Sequence, residues 1–166
     1  GANHADVIRT IGSTGSTILD ESQSASIRVG NYSEQSSITA MLGTAVYPDI
    51  INQTRSSSQE AENGSVEFKI TDASDTILEE NPDPVTLRGG AFQSIYTFEN
   101  NTTDATSVTR SLIAIDSFRL VRDRVLLKFI NGSNELVDVY ILRPGQDLDE
   151  VPALLNDISF AAQQNI

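Results

Sequence analysis

Two stretches of this chain repeat one another in order and spacing, and that restricts the fold more than any other feature. Thr17-Ile18-Leu19-Asp20-Glu21 recurs as Thr76-Ile77-Leu78-Glu79-Glu80. Beyond a spacer of similar length, Ile27-Arg28-Val29-Gly30-Asn31-Tyr32 recurs as Leu87-Arg88-Gly89-Gly90-Ala91-Phe92, and upstream Val7 and Ile11 match Val66 and Ile70. Apolar type, charge sign and a glycine stay in register, as expected for a supersecondary unit used twice. Each copy reads as strand, turn, strand, loop, strand. Gly30 and Gly90 are expected just before the third strand, where a turn needs positive φ or a close backbone approach.

Strand signals fill the rest of the chain. Val66 to Ile70 and Ser94 to Phe98 alternate apolar and polar residues, as half-buried strands do. Arg124 to Ile130 and Leu136 to Leu142 are more continuously apolar and predict central strands buried on both faces. The turn-forming Asn131-Gly132-Ser133-Asn134 between them predicts an antiparallel pair. Ser111 to Asp116 is a further strand. Thr54 to Asn63 is polar and Ser-rich, and reads as a mobile loop or linker. Only Leu148 to Phe160 has room for a short helical turn, limited by Pro152. The fold class predicted is therefore all-β, an antiparallel sandwich of one or two repeats.

Composition narrows the partners. Among 166 residues, 23 acidic side chains oppose 11 basic ones, for a net charge of −12. Such a surface repels phosphate backbones, so nucleic acid and anionic membranes are excluded as expected partners. The chain has no cysteine, which removes disulfides, thiolate nucleophiles and thiolate metal ligands. Its surface is rich in Ser, Thr, Asn and Gln and nearly free of lysine (Lys69 and Lys128), which points to an extracytoplasmic setting. No apolar run approaches the roughly 20 residues of a membrane-spanning helix, so no membrane insertion is expected. No signal-peptide pattern opens the sequence. Gly1 reads as a residue left by tag removal, which leaves room for a leader upstream.

The C-terminal third carries a family resemblance. Phe129-Ile130-Asn131-Gly132-Ser133, Val137-Asp138-Val139-Tyr140-Ile141 and Pro144-Gly145-Gln146-Asp147-Leu148 resemble the opening of the domain-of-unknown-function family 4397. Gly64 to Thr71, Thr76 to Leu78 and Leu87 to Phe98 are similar to the later part of that family. The matches span about three quarters of the chain. They imply an immunoglobulin-like β-sandwich, found in tandem in secreted or surface-anchored bacterial proteins, with no catalytic residues to carry over.

The order of the pieces departs from that pattern. Residues 1–50 read as later strands, 51–64 as a linker, 65–118 as later strands of a second repeat, and 122–166 as opening strands. The N-terminal copy is accordingly expected to complete 122–166, by permutation within one molecule or by strand exchange in a homodimer. In an alternative register, 25–47 is the diverged opening of a domain spanning 25–118, and 122–166 remains incomplete. A third reading has the sequence joining pieces of a longer chain. Half a sandwich exposes an apolar face and unpaired edges, so a filling strand is expected in the first two cases.

Candidate chemistry is sparse. His4, the single histidine, lies near the start of the chain and cannot supply a positioned triad base or a histidine metal site. Gly12 to Thr17 is glycine-rich but lacks the lysine of a phosphate-binding loop, so a hairpin turn is expected there. Asp147, Asp149 and Glu150 cluster after a Pro-Gly turn and are the candidate calcium ligands; Asp72 with Asp75, and Glu79 and Glu80 with Asp83, form other acidic groups. None has EF-hand spacing, and no cofactor is expected. Paired carboxylates would also serve a glycosidase. Asn-x-Ser/Thr triplets at Asn31, Asn52, Asn63, Asn100, Asn101 and Asn131 read as turn markers.

The sequence therefore predicts a non-catalytic extracytoplasmic module, a spacer or adhesion unit of a periplasmic or cell-surface protein that contacts a protein or cell-surface component. Two alternatives stay open: a subunit assembling by β-augmentation, and a calcium-dependent or carboxylate-based carbohydrate-active protein.

Overall fold

A computed structural model describes residues 8–9, 17–18, 20–80, 84–101, 107–116, 127–160 and 162–165. The strands are β1 (Ile8–Arg9), β2 (Thr17–Ile18), β3 (Ala25–Tyr32), β4 (Ser37–Leu42), β5 (Ala45–Ile51), β6 (Thr54–Arg55), β7 (Gln59–Ala61), β8 (Gly64–Val66) and β9 (Phe68–Asp72). They continue as β10 (Ile77–Glu80), β11 (Val85–Leu87), β12 (Phe92–Asn101), β13 (Ser107–Asp116), β14 (Lys128–Ile130), β15 (Val137–Val139), β16 (Leu155–Ile158) and β17 (Gln163–Asn165). The expected helical turn is a single 3-10 turn at Leu148–Glu150.

Alternation explains the layering. On β3 the side chains of Ala25, Ile27 and Val29 are buried, and on β4 those of Ile38, Ala40 and Leu42, every second residue in each case. These rows face one another across a core that also takes Tyr47 and Ile50 from β5, Phe68 and Ile70 from β9, Ile95 from β12 and Leu87 from β11. One sheet runs β13-β12-β3, with β6 and β7 both on the far edge of β3. The other runs β10-β9-β4-β5. The result is an all-β sandwich, as predicted. Pairing is antiparallel except between β3 and β12, which run parallel from Ser26↔Phe92 to Tyr32↔Phe98. Parallel neighbours need a long connection, and here the whole second sheet supplies it.

This pairing agrees with the alternative register, a domain spanning 25–118 with 122–166 outside it, and not with the division in which the N-terminal copy completes 122–166. Strands β3 to β5 (25–51) are bound edge to edge with β9 and β12, so they belong to one body with 59–116 and do not complete 122–166. Thr54–Asn63 is not a free linker either, because β6 and β7 hydrogen-bond to β3. Ile27–Tyr32 and Leu87–Phe92 are not equivalents: the first lies within β3, the second spans the turn between β11 and β12. Gly90 has positive φ (67°) in that turn. Gly30 lies inside β3, where an added Cβ would meet the Tyr32 ring at 2.7 Å.

The C-terminal strands also differ from expectation. β14 pairs with β17 and β15 with β16, so the runs on either side of Asn131 are not paired with each other. Nor are they buried on both faces: Lys128–Ile130 are half-buried and Leu136 is exposed. The chain changes sheets at Asn131, as it does at Asn31.

Candidate functional site

The segment 127–165 repeats 25–55 residue for residue at the positions that set register. Asn31 Nδ2 donates to the carbonyls of Gln35 (3.1 Å) and Ile50 (3.0 Å), while its Oδ1 accepts from Ser33 N (3.2 Å) and Ser33 Oγ (2.8 Å). Asn131 Nδ2 donates to Glu135 O (2.8 Å) and Ile158 O (2.7 Å), and its Oδ1 accepts from Ser133 N and Oγ (both 2.9 Å). Both asparagines are buried. Ile38 pairs with Ile50 and Ala40 with Tyr47 across a bulge; Val137 pairs with Ile158 and Val139 with Leu155 across a corresponding one. The residues that open these bulges, Asp49 (φ 50°) and Asp157 (φ 52°), both have left-handed backbone. Gly30 pairs with Arg55 on β6 as Ile130 pairs with Gln163 on β17.

The two copies meet at a joint. Asp116, at the end of β13, receives Arg28 Nη2 (3.1 Å) on one oxygen and Lys128 Nζ (3.3 Å) on the other. Ser94 Oγ donates to the oxygen shared with Arg28. Lys128 Nζ also donates to Ile115 O at 2.6 Å. Arg28 and Lys128 hold corresponding positions, three residues before Asn31 and Asn131, so one carboxylate ties both copies. The Asp116 side chain is 10 % exposed and that of Lys128 19 %, which raises this bridge above the weak surface class. Farther along β12 from Phe92, the partner of Asp116, Phe98 packs edge-on against Phe160 (centroids 6.1 Å apart) and stacks on Tyr32 at 6.2 Å. Gly132 lies so close to the Phe98 ring that a Cβ there would sit 2.5 Å from it.

Beyond the joint, the second copy is open where the first is closed. Ile27 is 0 % exposed and its counterpart Leu127 45 %; Leu42 is 1 % exposed and its counterpart Ile141 57 %. Val137, Val139 and Leu155 are only half-buried, whereas Ile38, Ala40 and Tyr47 are fully buried. The cause is topological. In the first copy β9 lies beside β4, and β8, β11 and β12 contribute to the core; among the described residues nothing lies on the corresponding edge of β15. Leu136 and Leu142, on either side of β15, are exposed as well.

The acidic candidates take structural roles. Asp147 caps the 3-10 turn by accepting from Asp149 N at 3.2 Å, and Asp147, Asp149 and Glu150 are all exposed. Among the described residues no group of three or more His, Cys, Asp or Glu side chains is placed to hold a metal ion, so these three do not assemble the expected calcium site. Asp72 Oδ1 accepts from Ser74 N and Thr76 N (2.8 Å each), and these bonds hold its carboxyl below the ordinary range. Asp75 occupies the same turn with positive φ (61°). Glu79 reaches Ser111 N with Oε1 (3.2 Å) but leaves Oε2 buried without a partner, and burial pushes its pKa up. Tyr47 Oη is likewise buried and unpartnered, and burial raises the phenol to about 12. His4 and Asp83 lie outside the described residues. So do Gly12–Ser16; their expected hairpin is flanked by β1 and β2, which pair antiparallel.

Sequence reasoning missed the asparagines. Asn31 and Asn131 are not passive turn markers but the hydrogen-bonded hubs of the two copies. Asn52 donates to Ser33 O, and Asn63 to the carbonyls of Glu21 (2.7 Å) and Gln23 (2.8 Å). The signal was present as Arg/Lys-x-x-Asn-x-Ser-x-Gln/Glu at 28–35 and 128–135, followed later by Asp-Ile at 49–50 and 157–158. A polar depression lined by Tyr32, Ser33, Glu34, Ser36, Asn52 and Gln53 adjoins the first hub.

No family model matches the chain, and no curated protein matches it. Among solved structures it is similar to the C-terminal domain of AlgF from P. aeruginosa, at 19 % identity and a TM-score of 0.39, over 57 % of this chain and 99 % of that one. Among the described residues no helix is long and apolar enough to cross a membrane.

Proposed function

We propose that the chain is a non-catalytic β-sandwich repeat module that works outside the cytoplasm, as a spacer or binding unit contacting a protein or cell-surface component. The observation that carries this reading is the joint. Successive copies share one carboxylate, Asp116, between corresponding cations, and a second contact, between Phe98 and Phe160, ties them farther along β12. A spacer needs successive units held at a fixed angle, and a part-buried two-cation bridge together with a separate aromatic contact supplies it. The polar, lysine-poor surface supports the extracytoplasmic setting, and the likeness of Phe129–Leu148 to family 4397 supports the tandem arrangement. The non-catalytic reading rests on the side-chain inventory, with no cysteine and His4 as the single histidine.

Residual dipolar couplings measured on both copies test this. The expected result is one alignment tensor for 25–116 and 127–165, separating into two in Gly132→Ala, where the added methyl collides with Phe98. Two independent tensors in the unsubstituted chain would defeat the spacer reading.

A further inference from the structure

We propose that the open face of the second copy accepts a β-strand of the later-half type, added antiparallel to the free edge of β15 in the register that β9 uses on β4. The first copy is the mould for this inference. There Ile38 faces Asp72, Ala40 faces Ile70 and Leu42 faces Phe68, so that Ile70 and Phe68 bury the row beneath them. Val137, Val139 and Ile141 repeat that row with the same spacing. Val137 and Val139 are fixed to Ile158 and Leu155 as Ile38 and Ala40 are to Ile50 and Tyr47. The acceptor is therefore built, with one edge already paired, and its exposed apolar residues are those that β9 and the strands behind it cover in the first copy.

The occupant is defined by this geometry: an extended segment alternating apolar and polar residues as Val66–Asp72 does, supplied by the later half of another repeat. Backbone hydrogen bonds to the free edge give affinity, and pockets for alternate side chains give register. Charge favours the same strand. A lysine at the Lys69 position would stand opposite Tyr140 and diagonal to Asp138, as Lys69 stands opposite Met41 in the first copy. A second copy of the free β15 edge is a poorer occupant, because it would bring Asp138 near its own counterpart.

Because the chain has no cysteine, disulfide capture reads the register directly. Full-length Tyr140→Cys is mixed, in a thiol redox buffer, with synthetic peptide Gly64–Glu80 carrying either Lys69→Cys or Glu67→Cys. The expected result is at least tenfold more mixed disulfide with the Lys69→Cys peptide, abolished when Val139→Lys is added to the protein. Equal capture of the two peptides overturns the register. No capture, or a disulfide-linked Tyr140→Cys dimer in its place, overturns the acceptor. Titration of the unsubstituted peptide into the unsubstituted chain guards against a folding defect: amide shifts should concentrate in 136–142, and their absence counts against the proposal. The joint is read by a separate measurement, so either idea can fail alone.

Discussion

Asn31 and Asn131 make the same four hydrogen bonds, each binding the carbonyl four residues ahead and an isoleucine carbonyl on the strand across the fold. A buried primary amide has two donors and an acceptor with two lone pairs, and here every one is used. The amide thereby fixes where the chain leaves one sheet and joins the other. It also explains why β14 and β15 do not form the hairpin that the Asn-Gly turn suggests.

Replacing either asparagine by alanine strands one buried isoleucine carbonyl, loses the bond to the carbonyl four residues ahead and frees the serine turn. At about 1 kcal/mol for each of the four lost bonds, Asn31→Ala should lose at least about 4 kcal/mol from the main sandwich. Asn131→Ala should spare that sandwich and loosen only 127–165. Urea unfolding monitored by amide signals from each copy checks this, and equal losses in both variants would contradict it.

The Asp116 bridge should be worth more than a surface pair. Asp116→Ala leaves Arg28 and Lys128 part-buried without their shared anion, at an expected cost of about 2 kcal/mol. Lys128→Ala should cost less, since Arg28 and Ser94 still satisfy Asp116. A thermal melt of the two variants orders them, and a larger loss in Lys128→Ala would contradict the shared-carboxylate account.

Tyr47 supplies a prediction of unusual sign. Its ring is fully buried but its hydroxyl has no partner, so Tyr47→Phe should be neutral or stabilising by up to about 1 kcal/mol. Burial disfavours the phenolate in the folded state, where the pKa lies near 12 against 10.0 for the free group. Stability is therefore intact below pH 10.0 and falls as pH rises toward 12, and the phenylalanine variant should lack that alkaline loss. Denaturation across that range tests both parts, and a clear destabilisation at neutral pH would contradict them.

Glu79 gives the acid-side counterpart. Its pKa is raised, first by burial and against the pull of its Ser111 hydrogen bonds. Stability is full below its unfolded pKa and is lost as pH rises through the folded value. Glu79→Gln should therefore stabilise the chain at neutral pH, and the gain should vanish in acid. Melts in acid and at neutral pH check the trend. A gain that grows in acid would contradict it.

Much of the fold was legible in local pattern. Ser94–Phe98 and Ser111–Asp116 lie in strands because their alternation matches a half-buried sheet, whereas Val66–Ile70 is divided at Glu67 between β8 and β9 of different sheets. Which segments correspond was not legible in the same way. The likeness of Thr17–Glu21 to Thr76–Glu80 is continuous and easily seen. The likeness of 28–50 to 128–158 is carried by scattered register residues and is interrupted by a longer connection from Val139 to Leu155 that holds the 3-10 turn. Sequence alone also gave no reason to bury Asn131, since its value lies in a carbonyl, Ile158 O, distant along the chain. Asp147, Asp149 and Glu150 are neighbours in sequence, but among the described residues no three such side chains are gathered into one group that could hold a metal ion.

Residues 127–165 repeat the opening half of the sandwich, with Asn131 in the role of Asn31. Hydrogen exchange of the two side-chain amides by nuclear magnetic resonance tests this most directly. Both Nδ2 groups should show two resolved, slowly exchanging protons, with Asn131 less protected than Asn31 because its copy is open on one face. Exchange of the Asn131 amide at the rate of a free asparagine, with Asn31 protected, would contradict the duplication.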